Sequence, residues 1–61
     1  MKISSKARRA VKKYGKDVCE KALYQNEVIG NGPSTIGIEL GLTTNQADAA
    51  INAGREIAAG G

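Results

Sequence analysis

Histidine, tryptophan and phenylalanine are missing from this chain, and cysteine, methionine and proline occur once each. Each shortage closes a route. With one thiol, Cys19, no intramolecular disulfide can form, which points to a reduced, intracellular setting. With no histidine and only that thiol, a structural zinc site has no ligand set. Tyr14 and Tyr24 are the only rings, so the interior has to be assembled from Ala, Ile, Val and Leu. Side chains that small favour short helices in close contact over a sandwich or barrel. No apolar run approaches the 18 or so residues of a membrane span, and no apolar segment follows the basic N-terminus as a secretory signal requires. The expectation is a soluble, cytoplasmic protein with no membrane contact and no cofactor.

Acid is also missing from one place. Lys2, Lys6, Arg8, Arg9, Lys12, Lys13 and Lys16 fall in the first 16 residues with no Asp or Glu among them. Beyond that point only Lys21 and Arg55 are basic, against Asp17, Glu20, Glu27, Glu39, Asp48 and Glu56. Such asymmetry points to an anionic partner for the first part of the chain. A chain of 61 residues forms one domain and buries only roughly 60% of the surface it exposes when unfolded. Small domains gain stability from disulfides, metals or partner subunits. The first two are closed off here, which leaves oligomerisation.

What is present reads as four short helices. SSKARRAVKKYG has a polar start at Ser4 or Ser5 and a glycine stop at Gly15, predicting a helix over about 5–14. Ile3, Ala7, Ala10, Val11 and Tyr14 share one face of it. Lys2, Lys6, Arg9, Lys13 and Lys16 step by three and four along the other side, flanked by Arg8 and Lys12. Val18, Cys19, Ala22 and Leu23 define an apolar face roughly 100° out of phase with the first, so a second helix over about 17–26 fits better than one long one. Asp17 and Glu20 have the spacing of a capping box at its start. VIGNGPS reads as a loop, with Pro33 as a first helical residue. A third helix follows over about 33–40, stopped by Gly41. Thr43 and Gln46 form another capping box, opening a fourth helix over about 44–58 with Ala47, Ala50, Ile51, Gly54 and Ile57 as its apolar stripe.

PSTIGIELGLTTNQADAAIN, residues 33–52, resembles the helix-turn-helix of phage repressors and related bacterial regulators over about a third of the chain. Gly41 falls at the turn glycine, and Gly37 at the small residue four positions earlier. Ile36, Leu40 and Leu42 fall at the apolar positions before and within the turn. Ala47 and Ala50 fall at apolar positions of the second helix, where the family more often has valine, isoleucine or leucine. The resemblance implies a DNA-binding regulator of phage-like type. It also implies that Thr43, Thr44, Asn45, Asp48, Ala49 and Asn52, at the start and on the outer face of the second helix, reach base edges in the major groove. Asn45 and Asn52 suit adenine, Thr44 a phosphate or a thymine methyl. None of these six is basic, so phosphate affinity falls to the basic helix upstream: Lys2, Lys6, Arg8, Arg9, Lys12, Lys13 and Lys16.

Other chemistry finds little support. Cys19 lies on an apolar face with no imidazole to act as its base. GNGP lacks the flanking strand and lysine of a phosphate-binding loop. A membrane-surface helix would bring Trp, Phe or Leu to its apolar face, where this one brings mainly alanine. The chain is therefore read as a non-enzymatic, all-α bundle of about four short helices. Its expected role is a homodimeric regulator binding double-stranded DNA, with Val28, Ile29 or Ile57 as interface candidates. The alternative is a protein-interaction module or small inhibitor that binds a larger protein, a role the acidic second half, including Glu39, Asp48 and Glu56, would suit.

Overall fold

A computed structural model of the chain describes residues 3–60. The first helix, α1 (Ser5–Tyr14), begins at Ser4, whose extended backbone lets its hydroxyl accept from the Ala7 N–H at 3.1 Å. It ends at Gly15, which takes φ 93°, a conformation that a side chain disfavours. Gly15 also precedes the first residue of α2 (Lys16–Tyr24), so one glycine closes one helix and opens the next. That economy corrects the reading of Asp17 as a cap: no side chain caps α2, and Asp17 lies inside its first turn. Its carboxylate there complements the positive end of the helix dipole.

The expected end of the second helix at residue 26 is also corrected. After Tyr24 the chain widens into a π-helical turn, Gln25–Ile29, which absorbs Val28 and Ile29 instead of releasing them as loop. Gly30 stops it in the left-handed region at φ 89°, and both Gly30 and Asn31 donate their N–H groups to the Gln25 carbonyl. The Asn26 amide donates to the Asn31 carbonyl at 3.0 Å, tying the turn to the loop that follows. Pro33 opens α3 (Pro33–Leu40) at a position where its missing N–H costs no hydrogen bond. Gly41, at φ 74°, turns the chain into α4 (Thr44–Ala58). Both arms of the Thr43 capping box are made: the Gln46 N–H donates to the threonine hydroxyl at 3.1 Å, and the Thr43 N–H donates to the Gln46 side chain at 3.0 Å.

The fourth helix is the hub. It packs most extensively on α2, then on α1 and α3. The core is Ala7, Ala10, Cys19, Ala22, Ile36, Ala47, Ala50, Ile51 and Ala53, of which Ile36 and Cys19 are the largest fully buried side chains. Ile3, Val11, Tyr14, Leu23, Leu40 and Leu42 close over it from the edges. Six alanines in a core of nine mean that helix axes must come close for interior contacts to be made at all. Two glycines permit this. A Cβ on Gly37 would sit 2.6 Å from the Leu42 carbonyl oxygen, so the turn before α4 folds directly onto α3. A Cβ on Gly54 would collide with the Cys19 carbonyl and press on the Leu23 side chain, so α4 rests on the backbone of α2.

Both glycines face backbone, which cannot swing aside. Gly54→Ala is therefore expected to destabilise the fold by about 2–3 kcal/mol through overpacking, which lowers the melting temperature by roughly 10 °C or more in a domain of this size. Gly32→Ala, in open space at φ −84°, is expected to change stability by less than about 1 kcal/mol. Thermal denaturation followed by circular dichroism compares the two; equal melting temperatures would show that α2 and α4 do not meet as described.

Candidate nucleic-acid interface

The outward side of α4 and the start of α1 form the two walls of a groove of about 660 Å³. Asn45, Asp48, Ala49, Asn52, Glu56 and Ala59 line one wall in helical steps of three and four, and Ser4, Lys6 and Ala7 line the other. Four of the six residues expected to read bases therefore share one concave surface with a lysine of the basic helix. Thr43 and Thr44 are exposed at the N-terminus of α4, outside that lining. Thr43 has a prior commitment, since its hydroxyl oxygen accepts from the Gln46 N–H and caps the helix; its hydroxyl proton and one lone pair remain.

The basic residues divide. Lys6, Arg8, Arg9, Lys12 and Lys13 are exposed on α1. Arg9 and Lys13 follow Lys6 by three and seven residues, which keeps them beside it along one side of α1, outside the groove lining. Lys16 does not continue that ridge. The break at Gly15 places it in α2, where its ammonium lies 4.0 Å from the Glu20 carboxylate. Lys2 lies outside the described residues. Lys13 also extends over the Tyr14 ring, with the ammonium 5.6 Å from the centroid.

Inside the groove the charges balance: Lys6 and Arg55 against Asp48 and Glu56. Arg55 is the residue that sequence reasoning passed over. Its guanidinium donates to Asn52, to Asn26 and to the Glu27 carboxylate, each at 3.4 Å, and so links the outer face of α4 to the π-helical turn. These long, exposed bonds orient Asn52 more than they stabilise the fold.

The groove owes its shape to a contact between residues 52 apart. The Glu56 carboxylate accepts from the Ser4 N–H at 2.7 Å and from the Ser4 hydroxyl at 2.8 Å. Ser4 therefore caps α1 and is itself held by α4, which pins the start of the basic helix beside the outer face of α4. The Ser4 backbone bond first, and the hydroxyl bond second, hold the Glu56 carboxyl below its ordinary 4.5.

Cys19 is fully buried, and burial first, with the Glu20 carboxylate second, pushes its thiol above the ordinary range. That disfavours the thiolate and suits a packing role. Among the described residues no cluster of three or more potential metal ligands occurs, and no described helix is long and apolar enough to cross a membrane. Comparison with protein families, with curated proteins and with solved structures finds no match to this chain.

Two outcomes are expected. Because the Glu56 carboxyl is lowered in the folded state, its contribution is complete above about pH 4.5 and is lost as the pH falls through the depressed value. Amide exchange in the first turn of α1 should accelerate over that interval, and Glu56→Gln, which does not titrate, should flatten the acid limb. An unchanged acid limb in the variant would remove the pin. Separately, Cys19 should react with a thiol reagent only as fast as the fold opens, and at the rate of a free cysteine once denaturant is added.

Proposed function

We propose that this chain is a small, two-fold symmetric DNA-binding protein, acting as a transcriptional regulator. Its α4 carries the groove contacts, and the basic helix α1 carries the phosphate contacts. The observation that supports this most directly is the shared groove: Lys6 of α1 lines the same concave surface as Asn45, Asp48, Ala49 and Asn52 of α4. A reader helix and a cationic helix that serve one duplex have to face it together. Arg9 and Lys13 extend the cationic side along α1, and Arg8 and Lys12 flank it.

The division of labour follows from the charges. The outer face of α4 has no cation among Thr43, Thr44, Asn45, Asp48, Ala49 and Asn52, so it adds sequence preference rather than affinity. Asn45 and Asn52 offer the bidentate amide geometry that suits adenine, and Asp48 suits a cytosine amino group. The α1 cations neutralise phosphates and release counterions. Resemblance of residues 33–52 to repressor helix-turn-helix segments agrees with this assignment. A second reading, a module or small inhibitor that binds a larger protein, draws on Asp48 and Glu56, which make the groove half acidic.

Duplex binding over a salt series separates the two. Lys13→Glu is expected to weaken binding to all sequences alike and to reduce the salt slope by about 1 or more. Asn45→Ala is expected to leave the salt slope unchanged while costing about 1–3 kcal/mol of preference at one base pair. Absence of duplex binding at low salt would sink the DNA reading and leave the protein-binding one.

A further inference from the structure

Arg55 is the only cation of α4, and it ties the outer face of that helix to the π-helical turn on one side. Glu56, the next residue, ties the same face to the start of α1 on the other. Asn52 stands between them, since residues three and four beyond it flank its line along the helix. Arg55 Nη1 donates to Asn52 Oδ1 at 3.4 Å, while its Nε and Nη2 donate to Glu27 and Asn26 at the same distance. One such bond in water holds little. Three, made by one planar guanidinium to two separate elements, give it a single orientation. All of its N–H groups are donors, and it has no acceptor. The end of the Asn52 amide that turns to Arg55 is therefore the oxygen, and the NH2 group points away from it. Asn45 lies two turns earlier on the same face, and its amide takes no part in the bonds of its own turn, which join Thr43 and Gln46.

Adenine presents an acceptor, N7, beside a donor, the N6 amino group, in the major groove. An asparagine amide matches the two with its NH2 on N7 and its oxygen on N6. In a T·A pair the same two groups lie in the reverse order across the groove, so the amide has to turn over to meet them. We propose that Arg55 is a positioning residue that makes Asn52 distinguish A·T from T·A. Turning the Asn52 amide over breaks its bond to Arg55 and sets NH2 against guanidinium, donor against donor. Asn45, which no cation holds among the described residues, accepts adenine on either strand. The feature recognised is thus an adenine on one defined strand at Asn52. A pair of either orientation meets Asn45 roughly three base pairs away, since seven helical residues span about 10 Å. The inference rests on the DNA reading proposed above and adds the strand to it.

Duplexes selected by the full chain from a randomised pool supply the probe, and the base pair whose preference is lost in Asn52→Ala marks the contact. With that pair varied, the wild-type chain is expected to favour one of A·T and T·A over the other by about 5- to 10-fold. Arg55→Met keeps the length of the side chain but has no donor, and should bring that ratio within about 2-fold. Its preference for either orientation over G·C should persist. Arg55→Lys, which restores a donor, should recover part of the ratio, with circular dichroism checking that each variant is folded. At the pair marked by Asn45→Ala, the two orientations should bind alike. A wild-type ratio near unity at the Asn52 pair overturns the inference, as does an Arg55→Met variant that keeps the ratio. So does equal strand discrimination at the Asn45 pair, where no cation holds the amide. If Arg55→Met instead weakens binding to all sequences alike and lowers the salt slope, Arg55 is a phosphate contact and the positioning role falls. If it loses a guanine preference at another pair, Arg55 reads a base itself, with the same result. No duplex binding by the wild-type chain at low salt removes the DNA reading and this inference together; sequence preference without strand discrimination at the Asn52 pair overturns this inference alone.

Discussion

Everything else in the fold depends on how closely α4 lies against α2. With alanine as the main interior residue, helix axes at ordinary separation would leave gaps between them, and gaps forfeit the dispersion contacts that a thin core cannot spare. Gly54 removes the one side chain that would hold the helices apart and lets α4 rest on the Cys19 carbonyl. Once that contact is made, Ala22, Ala50, Ile51 and Ala53 fall within reach of their neighbours, and Cys19 is sealed from solvent. Gly37 does the same between α3 and the turn that leads into α4. The alanines at positions 47 and 50 are consistent with this. They are the side chains that an intimate crossing admits.

The same close packing shapes the surface. A core filled by small residues leaves no interior room for Tyr24, Val28, Ile29 or Ile38, and these remain outside. It also brings the ends of the chain together, so that Ser4 meets Glu56 and the basic helix runs beside the outer face of α4. One packing solution thus yields a cationic side joined to a polar groove, and an apolar strip on the α2–π segment.

Much of the local architecture was legible because its causes are local. The ranges of α1, α3 and α4 agree with expectation, as do the glycine stops at 15 and 41, Pro33 as a first helical residue and the Thr43–Gln46 capping box. Where local reasoning failed, two local options competed. Asp17 had the spacing of a cap, but Gly15 alone joined the two helices and left Asp17 inside the second. The residues VI before Gly30 resembled loop because a loop and a widened turn both end in a left-handed glycine. Only the pair of bonds to the Gln25 carbonyl distinguishes them.

The sequence by itself determined the helical class, the positions of the caps and stops, the segregation of cations into the first helix, and the need for small residues at the helix crossings. Each follows from dihedral preference, hydrophobic period or charge, which act over a few residues. Tertiary structure alone decided which faces meet. It removed Lys16 from the basic ridge, set Lys6 opposite Asn45 and Asn52, assigned Arg55 to three partners, and joined Ser4 to Glu56. Those outcomes depend on the angle and depth at which four short helices settle against one another. Contacts between residues up to 52 positions apart are set by that packing, and no periodicity along the chain encodes them.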